Sequence, residues 1–258
     1  MARTDTWLDG VLDDASTLPP VSAPLDQAVE RHRSRPPLVR SLVVADTALA
    51  DLAALTSVPV PVAVTVAVTG GAGALEPAVH WATSSAGVRL VALHARLRDE
   101  DDLARNAGRV VAMVDHLRSL GALAEDVDVH VEPPAPGTVG DHTWLAALDE
   151  IAMAGLGLTF RIGPDLDVAR CIDAALDHET PFTFVGEVGH RIPHLLLATR
   201  ASLDGDDVAA ALADPDPVAA LPDEPGLASV RRWFVSASVP DVAATIDELT
   251  AVGLPDRT

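Results

Sequence analysis

The chain has 258 residues, 48% of them hydrophobic, and a formal net charge of −20 at pH 7. That charge argues against nucleic acid or an anionic lipid surface as a partner, because both are held by clustered cations. All 18 positive residues are arginine, which excludes lysine Schiff-base chemistry, a pyridoxal-phosphate linkage and a P-loop lysine.

An anionic ligand must therefore be held by arginine, histidine or backbone amides. No apolar stretch approaches the ~20 residues of a membrane span. The acidic opening MARTDTWLDGVLDDAST lacks the apolar core of a signal peptide, so a soluble, cytoplasmic protein is expected. The single cysteine, Cys171, cannot form an intramolecular disulfide, and its place in DVARCIDAAL suits buried packing on a helix.

In chain order, residues 1–37 read as a helical extension packed on the main domain. They contain the helix-like segment TWLDGVLDDA, a Pro-Pro break, the helix PLDQAVERHRS and a second Pro-Pro pair. From residue 38 to the end an apolar run, a polar residue or two and an amphipathic helix recur. VRSLVVA (39–45) precedes TALADLAALT, PVAVTVAV (61–68) precedes LEPAVHWATSS, and a strand from Val88 to His94 precedes a long helix ending near Leu120. In that helix Val110, Val111, Val114 and Leu117 share one face.

VDVHVE (127–132), LTFRI (158–162) and PFTFVG (181–186) follow, each with its helix. The segment from HLLLATRASL through DDVAAALAD to the prolines at 215, 217, 222 and 225 is less regular. RRWFVSAS and the helix PDVAATIDELTAVG close the pattern. About seven Val- and Leu-rich strands, without strict alternation, indicate a parallel sheet covered by helices. A (β/α)8 TIM-like barrel with one irregular unit fits best, and an open doubly wound sheet is the alternative.

In either fold ligands sit at the C-terminal strand ends. Those ends carry Asp46, the turn TGGAGA with Gly71, His94, Arg96, Glu132, Arg161, Glu187, His190, Ser236 and Ser238. Glu132 or His190 could act as general base and Arg161 as anion clamp, with His94, Arg96, Asp46, Glu187 and Gly71 lining the ligand. Structural roles compete with these. Asp46 could cap a helix, His94 could be a hydrogen-bonded rim residue, and Glu132 with Arg161 could form an ion pair that only fixes strand packing.

TGGAGA could cradle a phosphate, but Glu76 replaces the third glycine of a dinucleotide fingerprint, so a βα turn is the better reading. His190 and His194 have zinc-like spacing, but Pro193 interrupts the helix and no glutamate lies between them. No metal and no cofactor are expected. The acidic runs at 99–102 and 204–207 precede helices and read as caps.

The segments LPPVSAPLDQAVERHRS, LVRSLVVADTALADLAAL, FRIG and PFTFVGEVGH, in this order, resemble a family of uncharacterised bacterial β/α-barrel proteins. That family carries Lys-x-Arg-x-Gly-Gly on one strand and Phe-Lys-x-Thr-x-Gly-x-His-His-Pro on the next, with an acidic residue at the position of Glu132. Here Arg161, Gly163, Phe182 and His190 are kept, Thr159 and Thr183 stand where the lysines would be, and Gly189 replaces the first histidine. The resemblance implies a barrel that is a degenerate member without both motif lysines. Two functions stay open: a pocket for a small carboxylate or phosphate metabolite, or a catalytically inactive barrel that binds a second copy or an intact homologue.

Overall fold

The computed structural model describes residues 8–55, 61–98, 102–163, 166–188, 191–222 and 224–254. Its strands are β1 (Leu12–Asp14), β2 (Val39–Ala45), β3 (Val62–Val68), β4 (Val88–Arg96), β5 (Asp128–Glu132), β6 (Gly157–Arg161), β7 (Phe182–Val185) and β8 (Phe234–Val239). Neighbours in the chain pair in parallel, and β8 pairs back onto β1, so the sheet closes into a barrel. Closure decides for the (β/α)8 fold over the doubly wound sheet, which would leave two free edges.

The outer layer is α1 (Leu25–Arg33), α2 (Leu49–Leu55), α3 (Leu75–Ser84), α4 (Leu103–Ser119), α5 (Asp141–Met153) and α6 (Val168–Asp177). The β7–β8 connection carries α7 (Ile192–Asp204), α8 (Val208–Leu212) and α9 (Glu224–Arg231), and α10 (Val242–Ala251) follows β8. The β7–β8 segment is thus the irregular unit. The acidic runs do cap helices: Asp102 accepts from the Arg105 amide and Asp207 from the Ala210 amide.

One expectation fails. β1 and its crossover helix α1 both lie before residue 37, so the first 37 residues are not an extension outside the barrel, and the segment read as the helix TWLDGVLDDA contains a strand. Gly10, at φ +66°, turns the chain into that strand and stops any helix there. Leu12–Asp14 is too short to show a period of two, and aspartate is depleted in strands.

The two faces of the barrel wall differ. Leu42, Val44, Val64, Val66, Leu93, Val129, Val131, Leu158, Phe160, Phe182 and Phe184 belong to the continuous apolar core shared with the helices. Phe160, Phe182, Phe184 and Phe234 form an aromatic cluster there, with ring centroids 5.7–6.3 Å apart. Alternate positions face inward and are mostly small or polar: Asp13, Ser41, Thr65, His94, His130, Thr159, Thr183 and Ser236, all buried. This pattern explains the irregular alternation in the sequence. Both faces are buried, but only the outward one is largely apolar, with Asp14 of β1 an exception.

Candidate functional site at the barrel mouth

The inner face is held by hydrogen bonds between strands. Asp13 accepts from Ser41 Oγ at 2.5 Å and Ser236 Oγ at 2.6 Å, and Ser41 and Thr65 hydroxyls lie 2.7 Å apart. Arg40 bridges Asp13 and Asp128, at 3.2 Å to each. Burial alone would raise the Asp13 carboxyl, but Arg40 and the Ser236 and Ser41 hydroxyls outweigh it and hold it below its ordinary range.

On the adjacent strands β4 and β5 the register partners His94 and His130 meet edge to face, ring centroids 5.5 Å apart. Burial, and then the neighbouring His130, push His94 down to about 3, while burial and then Arg40 push His130 down to about 4. Both are therefore neutral near pH 7. His130 Nδ1 lies 3.3 Å from the Leu158 carbonyl. A Cβ on Gly157 would fall 2.4 Å from that same ring nitrogen, so the imidazole occupies the space a side chain would need.

Above this layer, the strand ends form a row of charges. Arg161 donates to Glu132 through Nε at 2.8 Å and Nη2 at 2.9 Å, a two-pronged ion pair between adjacent strands. Arg96 Nε lies 3.7 Å from the same carboxylate, which is nearly buried while both guanidinium groups reach solvent. The hydrogen bonds from Arg161 to Glu132 keep that guanidinium charged above its ordinary range. The packing role anticipated for Glu132 and Arg161 is thus present, and the row carries one excess positive charge facing the mouth.

Beside Arg96 lies a cavity of about 240 Å³ lined by Gly70, Gly71, Gly73, Arg96, Arg98 and Arg109, with Asn106 between the last two. Arg98 Nη2 donates to the Gly70 carbonyl at 3.0 Å, Asn106 Nδ2 to the Arg98 carbonyl at 3.4 Å, and Arg109 Nη1 to Asn106 Oδ1 at 3.1 Å. This chain of bonds wraps the TGGAGA turn, the end of β4 and α4 around one space. Gly71 has φ +71°, a conformation that favours glycine, and a Cβ there would press lightly on the Arg98 side chain at 3.3 Å. No carboxylate stands among the described lining residues.

Of the residues expected from sequence, Glu132, Arg161, Arg96 and His94 come together, and Gly71 joins them through the cavity that Arg96 lines. His94 is not a hydrogen-bonded rim residue: it is buried, and its Nε2 has no partner among the described residues. Asp46 ties two strand ends together, accepting from the Thr69 amide at 3.1 Å and the Thr69 hydroxyl at 3.2 Å, and from the Thr47 amide at 3.0 Å. Glu187 is exposed and makes no hydrogen bond or ion pair among the described residues. His190 and Gly189 lie outside the described residues.

Arg98, Asn106, Arg109, Asp13 and His130 escape sequence reading. Arg98 stands two residues beyond Arg96, past the strand end, and Arg109 lies on a helix, so only the folded chain makes them neighbours. Among the described residues no group of three or more metal-ligating side chains comes together, and no helix is long and apolar enough to cross a membrane.

The fold and the arginine-lined mouth define a (β/α)8 barrel with a small cationic cavity at the C-terminal strand ends. No protein-family model matches the chain, and no curated protein matches it. Among solved structures it is similar to the carboxyl transferase domain of Rhizobium etli pyruvate carboxylase with pyruvate and biocytin, at 13% identity and a TM-score of 0.40. That likeness covers 98% of this chain and 46% of the other, so the chain spans about half of that neighbour's length.

Proposed function

We propose that this barrel binds a small anionic metabolite, a phosphate or carboxylate, at its C-terminal mouth. The observation that carries the reading is the 240 Å³ cavity in which Arg96, Arg98 and Arg109 surround a glycine turn, in a chain whose net charge is −20. An acidic protein that gathers three guanidinium groups around one space, with no carboxylate among the described lining residues, works against its own composition. The volume suits an anionic group rather than a drug-sized molecule. The rest of the ligand would extend over the Arg96–Glu132–Arg161 row, where Arg161 serves as a second anion contact.

This is a reading of binding. Both oxygens of Glu132 accept from Arg161, so as general base it would first have to lose that pair. The test is thermal shift and titration calorimetry with inorganic phosphate, a sugar phosphate and a small dicarboxylate. A ligand bound by the native state raises its melting temperature. Arg98→Ala should weaken the response at least tenfold; an unchanged response in both Arg98→Ala and Arg109→Ala sinks the proposal.

A second reading, an inactive barrel that acts as a binding or assembly subunit, draws on a separate observation. Thr159 and Thr183, which stand where the resembling family carries lysines, are register partners, and their hydroxyls lie 3.0 Å apart. A closed hydroxyl pair offers neither an amine nucleophile nor an ammonium. Co-elution of a second copy or of an intact homologue on size exclusion would favour this reading.

A further inference from the structure

Helices α1 and α10 flank the shortest strand of the barrel, and a cavity of about 490 Å³ occupies the space between them. Three of its lining residues, Asp14, Ser16 and His32, are polar and yet at least nine-tenths buried. The Ser16 amide donates to Asp14 Oδ1 at 3.0 Å, and Arg31 Nη2 donates to Ser16 Oγ at 2.9 Å. His32 has neither ring nitrogen hydrogen-bonded among the described residues. An imidazole buried without partners on both nitrogens is costly. Neither nitrogen has appreciable accessible surface, so the ring backs the cavity wall while Asp14 supplies its buried charge.

The walls state the ligand's chemistry. At the floor, the Asp14 carboxylate calls for a cationic or N–H-bearing group. At the rim, Arg31 and Arg35 are exposed; Arg35 Nε donates to the Val39 carbonyl at 3.0 Å, and the remaining N–H groups of the two guanidiniums call for a carboxylate. Between floor and rim, Val21, Val39, Val242 and Ile246 offer an aliphatic surface. Asp241, also on the rim, already caps α10 through the Ala244 amide. Opposite charges at the two ends and an apolar middle fit a zwitterion better than the simple anion proposed for the mouth.

We infer that the α1–α10 cavity is a second ligand site, separate from the barrel mouth, for a small zwitterion with an apolar body, of which an apolar α-amino acid is the simplest. Its amino group would meet Asp14, and its carboxylate would meet Arg31 and Arg35. The whole protein is titrated calorimetrically with L-leucine, L-methionine and L-phenylalanine, and with isoamylamine and 4-methylpentanoate, which each retain one end of leucine.

At least one amino acid should bind, with both one-ended analogues at least tenfold weaker. Asp14→Asn and Arg31→Gln should each weaken that binding at least tenfold and leave the phosphate response of the mouth unchanged. If Asp14→Asn does not fold, Arg31→Gln, an exposed position, decides alone. Absence of binding by all three amino acids at millimolar concentration overturns the inference. So does equal affinity for the one-ended analogues, or binding that survives Arg31→Gln intact.

Discussion

Lowering the pH from 7 to 5 should destabilise this protein through three buried histidines. His32, His94 and His130 are pushed down to about 4, 3 and 4, in each case chiefly by burial. Arg35 and Arg89 add to this at His32, His130, Arg40 and Arg161 at His94, and Arg40 at His130, against partial opposition from Asp13 and Asp128. In the unfolded chain the same groups titrate near 6.5.

Their stabilising contribution is therefore complete above about pH 6.5 and is lost as the pH falls toward their folded values. At pH 5 protonation favours the unfolded state by about 2 kcal/mol per histidine, or about 6 kcal/mol for all three, against a typical total of about 5–15. Two other effects need separating. Acidification toward the sequence pI of 4.5 relieves the repulsion of a −20 chain and works in the opposite direction, and about 0.3 M salt screens most of it. Asp13, whose pKa is held low, loses its contribution only below its ordinary 3.8, outside this window. Urea unfolding at pH 7, 6 and 5 in that salt measures the loss, and His94→Gln should remove about 2 kcal/mol of it. Stability that stays flat or rises toward pH 5, or a His94→Gln protein with the wild-type slope, refutes the reasoning.

Gly157→Ala should cost about 1–3 kcal/mol, because a Cβ there collides with the His130 ring 2.4–3.0 Å away; chemical denaturation reads this. In the double variant with His130→Ala the cost should largely vanish, and a fully additive result would place the strain elsewhere. Arg161→Ala should destabilise by about 1–3 kcal/mol, below the cost of breaking a fully buried pair, because its side chain is half exposed and solvent screens the loss. Adding Glu132→Gln should recover most of that stability in the same denaturation assay, since no buried charge then lacks its partner.

Seven of the eight strands can be read in the sequence because each is an apolar run of four to nine residues followed by a helix. β1 cannot, since two of its three residues are aspartates. What makes Asp13 tolerable inside a barrel is Ser41, Arg40 and Ser236, the last of them 223 residues away, and no local window contains them. At the site the same division holds. Glu132 and Arg161 are legible because strand ends project to one mouth, and their pairing is a short-range consequence of adjacent strands. The Arg98–Asn106–Arg109 chain depends on how α4 lies against β4, which is a matter of tertiary packing. Asp46 shows a subtler limit: its place before a helix suggested a cap, whereas its carboxylate bonds chiefly to Thr69 at the end of the next strand.

The bond between Ser236 and Asp13 also bears on the order in which the fold can form. While the chain is being synthesised, strands from β1 to β7 can associate as they emerge, but the ring stays open until β8 arrives. Until then Asp13 lacks one of its hydroxyl donors, and the curled sheet has raw edges at β1 and β7. Closing the ring brings together residues more than two hundred positions apart, and the loop entropy of that step, though it grows only slowly with length, falls on a single event. The strand with the fewest residues therefore governs the last act of assembly. A nascent chain stalled before β8 would present the exposed edges on which misfolding and strand exchange begin.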